Sequence, residues 1–133
     1  MNNQQSGGLA GAIPALPFSE SVKAGSLLFI SGQVGVVGPS GEAVTGAGTA
    51  GFSFEQEVRQ VISNLGAVLE RQGLGYGNLV QVTIYLTDIE DYSVMNRVYA
   101  GYFTGGFPTR VTVAVKELAL KARIEMSGIA LLG

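Results

Sequence analysis

The sequence predicts an α+β fold: a mixed β-sheet with two helices packed on one of its faces. Three observations in the 133 residues carry this. Apolar residues alternate with a strand's period of two over residues 79–86, 110–116 and 121–132. They recur at helical spacing in two segments, one opening at Ser53 and one near Asp88. The resulting order is strand, strand, short strand, helix, strand, helix, strand, strand, with no internal repeat and no domain boundary.

Residues 1–12 are rich in Asn, Gln, Gly and Ser and read as a flexible tail, which leaves 13–133 as one domain. Pro14 and Pro17 hold an extended approach to Phe18–Val22, and Lys23-Ala24-Gly25 is a turn. Leu27-Leu28-Phe29-Ile30 is apolar on both faces, so this strand needs two covers: the domain's helices and a neighbouring subunit. Ser31-Gly32-Gln33 ends it. Gly35, Gly38, Gly41, Gly46, Gly48 and Gly51 then mark a loop with a short strand near Glu42–Val44. No Gly-Lys-Ser/Thr follows these glycines, so the loop is no Walker-type phosphate cradle. Ser53 and Gln56 form a capping box, in which each side chain satisfies an orphan N–H at a helix start. Phe54, Val58, Val61, Ile62, Leu65, Val68 and Leu69 give this helix its apolar face, and Gly73 stops it. In the next strand Val80, Val82, Ile84 and Leu86 oppose Gln81, Thr83 and Tyr85. Asp88 is the candidate cap of a second helix that turns Tyr92, Met95, Val98 and Tyr102 inward and ends by Gly105.

The last two runs are expected to pair as an antiparallel hairpin. Val111, Val113 and Val115 would then join Ile124 and Met126 in the core, and Arg110 and Thr112 would lie beside Glu125 and Ser127 on the opposite face. That register brings an arginine and a carboxylate together, with Ser31 on the same face or its rim.

Composition narrows the chemistry. Cysteine and histidine are both absent, which excludes disulfides, thiolate catalysis, zinc–thiolate sites, Ser-His and Cys-His mechanisms and the usual imidazole metal sites. Acid–base work falls to Asp, Glu, Lys or Tyr. Hydrophobic residues make up 47% of the chain and charged residues 14%, too few to dress a monomer's whole surface. The net charge of −2, with no basic cluster, points away from nucleic acid and anionic membranes. No apolar run is long enough to span a membrane, and residues 1–12 do not make a signal peptide, so a cytoplasmic protein is expected.

Ser31-Gly32-Gln33, Asn64-Leu65, Val80–Asp88, Met95-Asn96-Arg97-Val98-Tyr99, Phe107-Pro108-Thr109-Arg110 and Ile124-Glu125 together resemble the Rid/YjgF family of reactive-intermediate deaminases. The likeness spans roughly residues 17–132, and its most specific part is Phe-Pro-x-Arg with a glutamate fifteen residues later. The resemblance implies a chorismate-mutase-like fold and a homotrimer with sites between subunits. It also implies hydrolysis of 2-imino acids or their enamine tautomers to 2-keto acids and ammonia, with no metal or organic cofactor. It carries the substrate-carboxylate ligand onto Arg110, the water-handling glutamate onto Glu125 and a site serine onto Ser31. Asn96 and Thr112 fall on positions near the site, and Phe18 falls where many members have a tyrosine. Members also commonly have Leu-Pro where this chain has Leu118-Ala119.

Each of these residues also has a plain reading. Glu125 would pair with Arg123 or Arg110 across the sheet, Arg110 and Asn96 would be surface or interface residues, and Ser31 would be a turn residue. Tyr92, Tyr99 and Tyr102 would be packing. A trimeric small-carboxylate-binding module without turnover is the alternative function. An endoribonuclease is disfavoured by the charge and the absence of histidine.

Overall fold

Helix α1 (Phe54–Arg71) begins where the sequence requires. The Ser53 N–H donates to Gln56 Oε1 at 2.8 Å and the Gln56 N–H donates to Ser53 Oγ at 3.1 Å, the expected reciprocal box. In this computed structural model residues 16–37, 42–43 and 52–133 are described, so the predicted tail at 1–12 lies outside the described residues. The other elements are β1 (Ser21–Ala24), β2 (Leu27–Gln33), β3 (Val36–Val37), β4 (Glu42–Ala43), β5 (Leu79–Leu86), α2 (Tyr92–Ala100), β6 (Thr109–Ala114) and β7 (Ile124–Leu131). This is the predicted α+β architecture, including the short strand at Glu42. Asp88 caps a 3₁₀ turn just before α2, accepting from the Glu90 N–H at 2.9 Å.

The main sheet has the order β1-β2-β7-β5-β6. β3 and β4 form a separate two-stranded ribbon. Strands β1 and β2, β2 and β7, and β7 and β5 are antiparallel, while β5 and β6 are parallel. The expected hairpin is therefore wrong: β5 lies between β6 and β7. A parallel neighbour needs a long crossover connection, and residues 87–108, with α2 inside them, supply it. Alternation along each run was legible, but which strand it pairs with depends on this crossover.

Pairing fixes the faces. Leu28 and Ile30 of β2, Val82, Ile84 and Leu86 of β5, and Ile124, Met126 and Ala130 of β7 are buried against Val58, Val61, Ile62, Leu65, Val68 and Leu69 of α1 and Met95, Val98 and Tyr99 of α2. Full burial of each such side chain contributes roughly 1.5–3 kcal/mol. The valines of β6 do not join this core. Val111 pairs with Thr83 and Val113 with Tyr85, so both lie on the open face, where Val111 is 52% exposed. Val80 is displaced to the surface by a register shift between Leu79 and Gln81, and Leu79 takes its place in the core. The helix cover expected for one face of β2 is present. Leu28 and Ile30 sit under the helices, and Phe29 remains 42% exposed on the other side.

One charge lies inside the core. Glu57 of α1 is fully buried, and it accepts from the Arg123 backbone N–H at 2.8 Å and from Arg123 Nε at 2.6 Å. This pair ties the helix layer to the start of β7. Removing one partner leaves the other desolvated and uncompensated. Glu57→Ala should cost ~3 kcal/mol, the low end for breaking a buried pair because Arg123 keeps some solvent contact. Urea denaturation at fixed protein concentration checks this through the midpoint; an unshifted midpoint contradicts it.

Candidate active site in two halves

Ser31 and Gly32 occupy a bulge in β2. Ile30 pairs with Gly128 and Gln33 with Met126, so the β2 strand carries one residue more than β7 over this interval. The extra residue turns the strand end outward and lays the Glu125 side chain across Gly32. A Cβ at position 32 would come within 2.8 Å of Glu125 Cδ, so only glycine leaves the carboxylate this room. Glu125 opens onto a cavity of about 600 Å³. Its polar lining includes Ser31, Gln33, Asn64 and Glu20, and its apolar walls include Leu16, Phe18, Val34 and Leu120. Burial pushes the Glu125 pKa above the ordinary carboxylate value.

The side chains around Glu125 are firmly held. Asn64 Nδ2 donates to the Val34 carbonyl at 2.8 Å, and Gln33 Nε2 donates to the Ser31 carbonyl at 3.0 Å. Ser31 Oγ donates to the Ser19 carbonyl at 2.6 Å, and the Ser31 N–H donates to the Glu20 carbonyl at 2.9 Å. The serine thus pins the lead-in segment that carries Phe18. With its proton committed, its hydroxyl oxygen can only accept a further hydrogen bond. Leu120 reaches the cavity from a turn in which Leu120 and Lys121 both have left-handed backbone, φ 59° and 57°. That conformation costs a non-glycine residue roughly 1–2 kcal/mol.

Arg110 is elsewhere. It pairs with Val82, on the helix-covered face, whereas Glu125 pairs with Tyr85 on the open face. Within one chain the two predicted partners lie on opposite faces of the sheet, with β5 between their strands. This overturns the expectation that Arg110, Thr112, Glu125 and Ser31 share a face. Arg110 instead lines a second cavity of about 310 Å³ with Asn96, Tyr99, Ala100, Phe107 and Pro108. Its guanidinium carbon lies 5.1 Å from the Tyr99 ring centre and 5.6 Å from that of Tyr92, within cation–π range. Nη2 donates to Tyr92 Oη at 3.1 Å, and Nη1 faces Met95 Sδ at 3.8 Å. Thr112 lies two residues along the same face of β6. Thr112 Oγ1, Asn96 Oδ1 and Tyr99 Oη are buried without a hydrogen-bond partner among the described residues, and buried polar atoms ordinarily have one.

The ion pairs set Arg110 apart. Arg59 and Arg97 share Glu55, Arg71 takes Glu20, and Arg123 takes Glu57. Among the described residues Arg110 is the arginine without a carboxylate partner. Glu125, in turn, pairs with neither Arg123 nor Arg110, so its plain reading as an ion-pair partner fails. The structure therefore brings Glu125, Ser31 and Phe18 together in one cavity, and Arg110 with Asn96 in another, with Thr112 on the same strand face.

Sequence reasoning missed Gly32, Gln33, Asn64, Glu20 and Leu120 as lining residues, and it took Tyr92 and Tyr99 as packing. The signal for the first two was present: a small, polar triplet closing an otherwise apolar strand. The roles of Glu20 and Leu120 had none. No group of His, Cys, Asp and Glu among the described residues could hold a metal ion, and none of their helices is long and apolar enough to cross a membrane.

The family model described as Endoribonuclease L-PSP matches residues 10–132. The chain is 41% identical over 120 residues to a RutC family protein of Aquifex aeolicus, covering 89% of this chain and 90% of that one. It is 35% identical over 117 residues to the human protein named 2-iminobutanoate/2-iminopropanoate deaminase, covering 88% and 81%. The crystal structure of the Rid-family protein YyfA from Yersinia pestis superposes with a TM-score of 0.86 at 31% identity, covering 97% of this chain and 98% of that one. A family model that spans nearly the whole chain, together with relatives and a fold of the same kind, identifies the chain as a member of the Rid/YjgF family.

Proposed function

We propose that the protein hydrolyses 2-imino acids, or their enamine tautomers, to 2-keto acids and ammonia. The observation that carries this is Arg110: a guanidinium held by aromatic rings, without a carboxylate partner among the described residues, and set in a small cavity. A guanidinium fork binds a carboxylate through two parallel hydrogen bonds, which lysine cannot copy. The names of relatives such as the human deaminase support the same substrate class.

In this reading a substrate anchored by its carboxylate on Arg110 presents its C=N carbon to a water held by Glu125. Glu125 takes a proton from the water as its oxygen bonds to carbon. It delivers that proton to the nitrogen, which gives the carbinolamine; it then takes the proton of the carbinolamine hydroxyl and passes it to the same nitrogen, so that the C–N bond breaks, ammonia leaves and the C=O of the keto acid forms. Ser31 Oγ accepts a hydrogen bond from the nitrogen or the water, and Asn96 and Thr112 offer polar atoms beside Arg110. Phe18 walls the site. Imines are reactive, so orientation and one proton relay suffice.

The two halves lie on opposite faces of one sheet, so a complete site requires two copies of the chain. We infer a ring of three in which the Arg110 cavity of one subunit meets the Glu125 cavity of the next. A head-to-tail contact of this kind closes a ring. The exposed apolar side chains of Phe29, Val111 and Val113 on the open sheet face supply a surface to bury.

Four outcomes test this. Arg110→Ala should raise KM for 2-iminobutyrate, trapped against semicarbazide, by ~10- to 100-fold, the worth of a charge-assisted hydrogen bond. An unchanged KM contradicts the anchor. Gly32→Ala should push the Glu125 carboxylate aside and lower kcat by ~100-fold with the fold intact by circular dichroism. Mixed and co-refolded Arg110→Ala and Glu125→Gln proteins, each impaired alone, should regain activity at sub-KM substrate through hybrid contacts, and no recovery would contradict a site shared between two chains. The sign for Glu125 also follows. Its folded pKa is raised, so as pH rises through the window above the ordinary 4.5 the native state loses the proton at greater cost than the unfolded chain. Its ionisation therefore destabilises the fold at neutral pH. Glu125→Gln should be more stable than wild type at pH 7 in urea denaturation, and wild-type kcat/KM should fall as pH drops through a value above 4.5.

A binding module without turnover is favoured by Phe18, which offers no hydroxyl, and by Ser31, whose proton is already donated. Saturable binding of 2-ketobutyrate with no imine hydrolysis would establish it.

A further inference from the structure

Tyr92 is placed by the same helix face that shapes the Arg110 cavity. Tyr92, Asn96 and Tyr99 are spaced at i, i+4 and i+7 along α2, so all three face the guanidinium side. Their roles differ. The Tyr99 ring is buried, with its hydroxyl enclosed. Tyr92 is 40% exposed, and its hydroxyl meets Arg110 Nη2 at the protein surface rather than in the core.

The direction of that hydrogen bond decides what else the hydroxyl can do. Arg110 has only donors, so at 3.1 Å Nη2 donates and Tyr92 Oη accepts. The phenolic proton is then free to point elsewhere, and it has no acceptor among the described residues. The O–H and the remaining N–H of Nη2 are therefore neighbouring donors, 3.1 Å apart by their heavy atoms. A carboxylate has about four lone-pair sites and can take both.

Resting on the reading of Arg110 as the carboxylate anchor, we propose that Tyr92 is a second substrate-binding residue, its hydroxyl donating to the carboxylate that Arg110 holds. The pair forms a three-donor seat for a small 2-keto or 2-imino acid. The Tyr92 ring contributes separately by lying against the guanidinium at 5.6 Å. Phenylalanine keeps the ring and removes only the donor.

Calorimetry on the assembled protein tests this without depending on turnover. Tyr92→Phe should bind 2-ketobutyrate ~10-fold more weakly than wild type, as expected for one hydrogen bond to a charged group. Binding of the neutral amide, 2-ketobutyramide, should be the same in both proteins. In the hydrolysis assay KM should rise by the same factor with kcat unchanged, and the loss should vanish in an Arg110→Ala background. Equal affinity of the two proteins for 2-ketobutyrate, an equal loss for the amide, or no saturable keto-acid binding by wild type overturns the proposal. Tyr92-dependent keto-acid binding without imine hydrolysis would overturn the deaminase function and leave the carboxylate seat standing.

Discussion

The pairing of β7 with β2 on one side and β5 on the other is the constraint on which the remaining structure depends. Side chains alternate along a strand, so the register that sets Ile124 opposite Leu86 and Met126 opposite Ile84 also sets Glu125 opposite Tyr85. The core and the functional face are one decision. A slip by a single residue would drive Glu125 under the helices and expose Met126 and Ile124. Because β5 also pairs in parallel with β6, the same ladder carries Arg110 to the helix-covered face beside Val82. No rearrangement of side chains within one chain could bring Arg110 to Glu125 while this ladder holds.

Charge is distributed with equal economy. The chain has few ionisable residues, and most arginines are consumed in tying segments together. Arg123 anchors the start of β7 to α1 through buried Glu57, and Arg71 holds Glu20 with two hydrogen bonds, at 2.6 and 3.0 Å, beside the Glu125 cavity. These contacts neutralise the buried carboxylates of Glu57 and Glu20. They also leave Glu125 without a cation, so burial alone governs its pKa. A carboxyl of raised pKa and a guanidinium without a carboxylate partner among the described residues are both costly to a fold, which is what makes them candidates for a functional site.

Irregular backbone appears at these functional positions. The β2 bulge opens the space over Gly32 that the Glu125 side chain occupies, and the left-handed residues Leu120 and Lys121 bring an apolar side chain to the cavity mouth. The regular elements act differently: α2 supplies a rigid rail on which Tyr92, Met95 and Tyr99 brace Arg110. The Glu125 cavity is thus built on a strand irregularity and the Arg110 cavity on helix spacing.

The sequence by itself determined the α+β class, the α1 cap and face, the position of every main-sheet strand to within a few residues, and the likeness that singles out Arg110, Glu125 and Ser31. These are local properties: period, capping chemistry and turn residues act over a few positions and are written where they act. It misjudged the partner of β6, because alternation reports which residues share a face and not which strand lies beside them. The error propagated, since Arg110 and Glu125 were placed together only by the supposed hairpin. It gave no sign of the role of Glu57 and took Tyr92 as packing. Both depend on what meets them in space: Arg123, sixty-six residues away, and Arg110, eighteen away. Only the tertiary structure decided the faces, the placing of Arg110 and Glu125 in two separate cavities, and that Arg110 is the arginine without a carboxylate partner among the described residues, because each of these is set by contacts between segments far apart in the chain.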